Sequence, residues 1–145
     1  MQKIVNQYRL SGEEWPARSK DIAAWAIRNN LWELHPSAAI SKCAEDISRA
    51  MREEYMTDSR GRRVRVKHSA TVQRNGKQLV LWDDLRTASR AHMKLSFQQR
   101  RQQIVGDCKQ LKMDVDSYNE RHPSIEPLQM VFDFTKDLAE IEAAA

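Results

Sequence analysis

The feature that most constrains the fold is a change of hydrophobic period in the middle of the chain. Over residues 63–73, apolar side chains alternate with polar or cationic ones, which is the two-residue period of a half-buried β-strand. Asn75-Gly76 follows, and this pair supplies the positive φ angles of a two-residue type I′ turn. The stretch therefore predicts a β-hairpin whose last cross-strand pair joins Lys67 to Asp84, which are opposite in charge.

The same hairpin is strongly basic. From Arg60 to Asp84 the chain has seven Lys or Arg side chains and no Asp or Glu before Asp83. Basic residues also predominate just after it, since Arg86, Arg90, Lys94, Arg100 and Arg101 all precede the next acid, Asp107. Residues 1–58, in contrast, hold eight basic and nine acidic side chains, and residues 119–145 hold two and six. The net charge of +4 is thus unevenly distributed, which indicates a polyanionic partner.

Helical spacing of apolar residues precedes and follows the hairpin. Helices are predicted over residues 16–30, 37–56, 87–120 and 125–144. The first 14 residues are weakly patterned and are compatible with a short strand or a short helix. We therefore expect a mainly α, α+β protein in which the last two helices form an antiparallel hairpin over residues 87–145.

Composition excludes several classes of protein. A chain of 145 residues has room for one compact domain with an appendage. No stretch approaches the roughly 20 apolar residues of a membrane span, and the N-terminal residues lack the apolar core of a signal peptide. We expect a cytoplasmic protein without membrane contact, in which Cys43 and Cys108 are reduced thiols in the core.

No set of residues indicates catalysis, a metal or a cofactor. The four histidines stand singly on different predicted elements, and no phosphate-binding glycine loop or GxSxG motif occurs. Asp83 and Asp84 could bind a metal ion, but carboxylates at the end of a strand more often cap or pair with cations. We therefore expect a non-catalytic protein.

The order of elements resembles that of winged helix-turn-helix domains. Two helices joined by a short turn and followed by a basic two-stranded ribbon span residues 16–85. The resemblance implies a DNA-binding domain over residues 1–86, with helix 37–56 in the major groove and the 62–82 hairpin as a wing on the backbone. Residues 87–145 would then serve packing or dimerisation.

The residues expected to contact DNA are those on the two implied binding elements. On the helix they are Ser37, Ser41, Lys42 and Arg49, and on the hairpin Arg60, Arg62, Arg63, Arg65, Lys67, Arg74 and Lys77. Side chains near the start of a groove helix reach base edges, while cations on a strand recur about 7 Å apart and neutralise phosphates. We expect a homodimeric duplex-DNA-binding protein, such as a transcriptional regulator or an accessory factor.

A non-catalytic protein adaptor is the alternative. In that case the winged-helix surface or the helical hairpin binds protein, and the basic charge only keeps the chain in solution. Residues 129–134, QMVFDF, are similar to the short peptide by which many bacterial proteins dock on the replicative sliding clamp, although Phe132 stands where Leu or Met is usual. Such a peptide must be extended and accessible, whereas we expect these residues in a packed helix.

Overall fold

Two units, Met1–Ala50 and Met51–Ala145, make up the chain, and the computed structural model describes every residue of both. The helices are α1 (Gln2–Leu10), α2 (Ser19–Arg28), a short 3₁₀ helix (Pro36–Ala38), α3 (Ala39–Glu53), α4 (Arg90–Arg121) and α5 (Thr135–Ala144). The strands are β1 (Tyr55–Thr57), β2 (Arg63–Arg65), β3 (Lys67–Arg74) and β4 (Lys77–Asp84). The predicted mixture of helices with small antiparallel sheets is confirmed.

The first unit is built on the contact between α1 and α2. Tyr8 and Ala26 are only 4% and 2% exposed, and the Tyr8 ring meets Trp25 edge to face with 5.5 Å between the ring centroids. The Tyr8 hydroxyl donates a hydrogen bond to the Glu14 carbonyl oxygen, which ties the connection between the helices to α1. The weakly patterned N-terminal residues therefore form a helix because Tyr8 has a partner to pack against.

Helix α3 ends earlier than its spacing predicts, and its apolar side stays uncovered. It ends at Glu53, so the prediction of a helix as far as Met56 is wrong. The next residues, Tyr55–Thr57, pair with Arg63–Arg65, because an aromatic and a β-branched residue suit a strand once a partner strand is near. No α3 residue is buried, and Cys43 is exposed rather than in the core.

The predicted hairpin forms in the predicted register. β3 and β4 pair antiparallel, with Lys67 opposite Asp84 and Arg74 opposite Lys77. The turn residues Asn75 and Gly76 have φ angles of 51° and 72°, as a type I′ turn requires. We call β3, β4 and their turn the ribbon.

The strand changes partner at Val66. The Val66 N–H donates to the Glu54 carbonyl oxygen, whereas the Val66 carbonyl oxygen accepts from the Leu85 N–H. Its side chain is 3% exposed, so the corner is also part of the small core of the second unit. Residues 63–74 therefore act as one bent strand that pairs first with β1 and then with β4.

Helix α4 packs on the ribbon near its N-terminus. Ser89 caps it, with its hydroxyl oxygen accepting a hydrogen bond from the His92 N–H at 3.1 Å. Ala70 on β3 and Ser96 on α4 are 1% and 4% exposed, and such small side chains let helix and strand approach closely. This contact fixes α4 against the ribbon.

The segment after α4 is not helical, so the prediction of a helix starting near residue 125 is wrong. Residues 126–134 form neither helix nor turn, and α5 begins only at Thr135. Pro123 and Pro127 each lack a backbone donor, and the Asn119 amide satisfies the backbone of Leu128 through two hydrogen bonds of 2.8 and 3.0 Å. No residue of α5 is buried.

None of the helices combines the length and hydropathy required to cross a bilayer.

Candidate nucleic-acid interface

The open edge of β3 is closed by a side chain of α4. β3 pairs with β4 on one edge only, so the backbone of Thr71 on the other edge needs partners. Gln99 provides them: its Oε1 accepts from the Thr71 N–H and its Nε2 donates to the Thr71 carbonyl oxygen, each at 2.8 Å. One amide group therefore makes the two bonds that a neighbouring strand would make, and it fixes α4 along the edge.

Two histidines strengthen the same junction. His92 Nε2 donates to the His68 carbonyl oxygen at 2.9 Å, which joins the start of α4 to β3. His68 is 7% exposed, its Nε2 donates to the Arg65 carbonyl oxygen at 2.9 Å, and its ring meets Phe97 edge to face. Both imidazoles are thus held by backbone carbonyl groups, and His68 fixes the backbone that carries Arg65.

A groove of about 1310 Å³ opens between the polar face of the ribbon and this part of α4. Its lining contains five cations and one carboxylate, which is that of Asp107. The ribbon contributes Lys67, Ser69, Thr71 and Trp82, and β2 contributes Arg65. The other charged or amide residues of the lining are Arg52, Gln98, Gln99, Arg100, Arg101, Gln102, Gln103 and Asp107. We call this surface the basic groove.

Most cations of the basic groove have no carboxylate partner. Arg52, Arg65, Arg100 and Arg101 form no ion pair, whereas the Lys67 ammonium lies 3.3 Å from Asp84 and 3.6 Å from Glu54. A guanidinium group donates several hydrogen bonds in a planar fork that matches a phosphate group. The groove therefore presents four arginines that are available to an anion.

The carboxylate of Asp84, which lies beside the groove, is already bonded to Arg86 and Lys67. Its carboxylate accepts from Arg86 Nη2 at 2.7 Å and Nε at 2.9 Å, and from the Arg86 N–H at 2.9 Å. These bonds, together with the weaker one from Lys67, hold the pKa of the Asp84 carboxyl far below its usual range. Asp84 is 18% exposed and its charge is directed to Arg86 and Lys67.

The hairpin residues predicted from the sequence have different surroundings. Arg65 and Lys67 line the basic groove, whereas the Arg63 guanidinium lies over the Tyr55 ring at 4.1 Å from its centroid. Arg62 is paired with Asp58, and that pairing lowers the pKa of the Asp58 carboxyl, chiefly through the Arg62 N–H. Arg60, Arg74 and Lys77 are exposed without an ion-pair partner.

The candidates on and beside α3 are largely satisfied within their own unit. Lys42 Nζ lies 2.8 Å from Asp46 Oδ1, and Arg49 lies 3.6 Å from the same oxygen. The Lys42 hydrogen bond is the main reason that the pKa of Asp46 is lowered. Ser37 Oγ lies 3.0 Å from His35 Nδ1, and Ser41 is exposed.

Sequence reasoning did not select Arg52, Trp82 or the arginines and glutamines of α4 as contact residues. The only available signal was the acid-free run from Arg86 to Lys94, Arg100 and Arg101, which indicated positive charge without indicating where it lies. The groove depends on Thr71 and Gln99, which are 28 residues apart in the chain. No periodicity in the sequence could have revealed that contact.

No family model, curated protein or solved structure matches this chain. The structure contains no group of three or more His, Cys, Asp or Glu side chains that could hold a metal ion. What the chain binds has therefore to be inferred from its own side chains.

Proposed function

We propose that the chain is a non-catalytic duplex-DNA-binding protein whose basic groove binds the sugar-phosphate backbone. The observation that carries the proposal is the presence of four arginines without ion-pair partners, together with a single carboxylate, in one groove. Phosphate contacts from such side chains release counterions and supply most of the affinity of non-specific binding. The groove's amides and hydroxyl groups add donors to phosphate and sugar oxygens.

The dimensions of the ribbon favour a regular polyanion. Alternate residues on one face of a strand recur about 7 Å apart, which is close to the spacing of successive phosphates along a strand of DNA. Lys67, Ser69 and Thr71 occupy such alternate positions on β3 and line the groove. Arg65 lines it from just beyond the corner at Val66, and Arg101 lines it from α4. A duplex holds these charges in a rigid, regular array, whereas a flexible single strand does not hold them in fixed positions.

A winged-helix role is the finer part of the proposal. The order of α2, α3 and a ribbon with a basic polar face supports it, with α3 as the reader of the major groove and the ribbon as the wing. Residues 1–86 would then supply the winged-helix elements and α4 the arginines that complete the basic groove, while the remainder of residues 87–145 would serve packing or dimerisation. A homodimeric transcriptional regulator or accessory factor fits this arrangement.

The test is a fluorescence-anisotropy titration of the full chain with a random-sequence duplex, a single strand and a duplex RNA, at low and at physiological salt. We expect the duplex DNA to bind tightest and to weaken steeply as salt rises, because counterion release drives binding. Tighter binding of the single strand or of RNA would assign the groove to that nucleic acid instead. Absence of binding to all three would refute the proposal.

We infer a second candidate function, a clamp-docking adaptor, from the state of residues 129–134. This segment is neither helix nor turn, and Met130, Val131 and Phe134 are 49%, 80% and 43% exposed. A docking peptide requires an accessible segment of this kind.

The test is surface plasmon resonance of the full chain on an immobilised bacterial sliding clamp, in which F132A/F134A should abolish binding and V131A should not. Equal binding by all three proteins, or no binding, would refute this function.

A further inference from the structure

From Ile104, which also lines the basic groove, to Tyr118, the second half of α4 carries a line of apolar side chains. Ile104, Leu111 and Tyr118 recur every seven residues and are 52%, 45% and 48% exposed. Cys108 and Val115 lie between them along the helix and are half-buried. A seven-residue apolar repeat is the pattern that keeps two helices in contact along their length. We call these five residues the apolar line.

The apolar line begins where the contact with the ribbon ends. Towards the N-terminus of α4, the positions that continue the seven-residue spacing of Cys108 and Val115 hold Arg101 and Lys94. The position seven residues before Ile104 holds Phe97, whose ring meets His68 of β3 edge to face. Ser96, which is 4% exposed, is the only buried residue of α4. The two halves of α4 therefore differ: the first packs on β3, whereas Ile104, Leu111 and Tyr118 in the second half are about half exposed.

We propose that the apolar line is the surface on which a second copy of this chain docks, with the two α4 helices parallel and in register. The contact would consist of five layers formed by Ile104, Cys108, Leu111, Val115 and Tyr118. Small or β-branched side chains then alternate with larger ones, and Val with Leu at successive core positions favours two strands. The two copies are related by a two-fold axis, so each layer contains the same residue twice.

The charges beside the apolar line select the parallel direction. In the parallel, in-register pair, Asp107 lies opposite Lys112 of the other copy, and symmetry repeats this attraction. In the antiparallel pair that places Cys108 opposite Leu111, only four of these residues form layers, and Tyr118 would face Arg101. In that pair Asp107 would meet Asp114, and Arg100 would meet Arg121. Both of these antiparallel pairs are like charges, which repel each other.

Lys112 can exchange its present partner, Asp116, for Asp107 of the other copy. It now lies 2.6 Å from Asp116, but both side chains are more than half exposed, so their ion pair contributes little. Asp107 has no ion-pair partner in the chain. Because Asp107 is also the one carboxylate of the basic groove, the exchange would neutralise it, a consequence that rests on the proposed function.

The first test is sedimentation equilibrium of the full chain without nucleic acid, which separates it from any failure of DNA binding. We expect a dimer for the wild type, a monomer for Leu111→Glu and a dimer for Met113→Glu. Met113 is a matched control because it is 54% exposed and lies on the other side of the same turn of α4. A monomeric wild type, or equal masses for the two variants, would overturn the proposal.

The second test concerns direction and does not depend on a destabilising change. Cys43→Ser leaves Cys108 as the one thiol, and mild oxidation with copper phenanthroline removes two electrons and two protons from a facing pair of thiols. A parallel, in-register dimer places each Cys108 opposite its counterpart and should yield a disulfide-linked dimer, which C43S/C108S cannot form. An antiparallel dimer places Cys108 opposite Leu111, so a dimer that fails to cross-link would overturn the parallel arrangement.

Discussion

Helix α3 and the basic groove both contain several cations in the sequence, but the surroundings of those cations differ. On α3, Lys42 and Arg49 share the carboxylate of Asp46. In the groove, Arg65, Arg100 and Arg101 have no acidic partner. The difference teaches that an anion-binding surface depends on cations that lack local partners. The number of cations in a helix or strand does not by itself indicate whether that element binds an anion.

Reversing one charge in the basic groove should have the largest effect. Arg101→Glu removes a phosphate contact and adds repulsion, so we expect duplex affinity to fall by at least about tenfold near physiological salt. Fluorescence anisotropy measures the change.

Lys109→Glu is the control for this charge reversal. Lys109 is an exposed cation on the same helix that does not line the groove. Lys109→Glu changes the net charge by the same amount as Arg101→Glu. Equal losses in the two variants would show that total charge, rather than the groove, decides binding.

Removing the amide that closes the edge of β3 should have the next largest effect. Gln99→Leu leaves the Thr71 N–H and carbonyl oxygen without partners, which should lower the free energy of unfolding by about 1–3 kcal/mol. Urea denaturation followed by circular dichroism measures the loss. Gln98→Leu, an exposed neighbour without such bonds, should be nearly neutral, and equal stability of the two variants would contradict the role of Gln99.

Acid should distinguish the carboxylate beside the groove from the one on α3. The folded-state pKa of Asp84 is lowered, so its contribution to stability is present above the usual aspartate pKa of about 3.9 and is lost as the pH falls through the lowered folded value. We therefore expect wild-type stability to fall below pH of about 4, and to fall less steeply in Asp84→Asn.

Asp46→Asn should change the acid profile less than Asp84→Asn. The pKa of Asp46 is also lowered, but its side chain is 53% exposed, compared with 18% for Asp84, so solvent weakens its ion pairs. Urea midpoints across the acid range would test this order. A larger effect of Asp46→Asn would contradict it.

Removing the two cations of α3 that pair with Asp46 should have the smallest effect. In K42A/R49A both changed side chains are already paired with Asp46, so we expect duplex affinity to change by less than roughly twofold, as exposed ion pairs contribute little. Anisotropy at the same salt concentration measures it. A loss as large as that of Arg101→Glu would make α3 the main binding element.

Local patterns predicted much of the fold. The alternation over residues 63–73 and the Asn75-Gly76 pair predicted the ribbon and its register, because a type I′ turn fixes which residues face each other. The spacing from residue 87 to residue 120 predicted α4, because helix formation depends on neighbours three and four positions away.

The errors lie where distant residues compete with local spacing. Tyr55–Thr57 continues the helical spacing of α3 but pairs with β2. Residues 126–134 also have helical spacing, but two prolines and the hydrogen bonds of the Asn119 amide to Leu128 favour a non-helical backbone. The candidate site follows the same rule. Arg65 and Lys67 were predicted from the alternating stretch, whereas Arg100 and Arg101 line the groove because contacts between α4 and β3, among them that of Gln99 with Thr71, place them there.

The most direct test is the slope of log Kobs for duplex DNA against log salt concentration, measured for the wild type and for R65A/R100A/R101A. Each phosphate contact contributes about 0.9 to that slope, so we predict that the triple variant has a slope smaller in magnitude by about three. A triple variant that keeps the wild-type slope would contradict the central claim that the free arginines of the basic groove bind the DNA backbone.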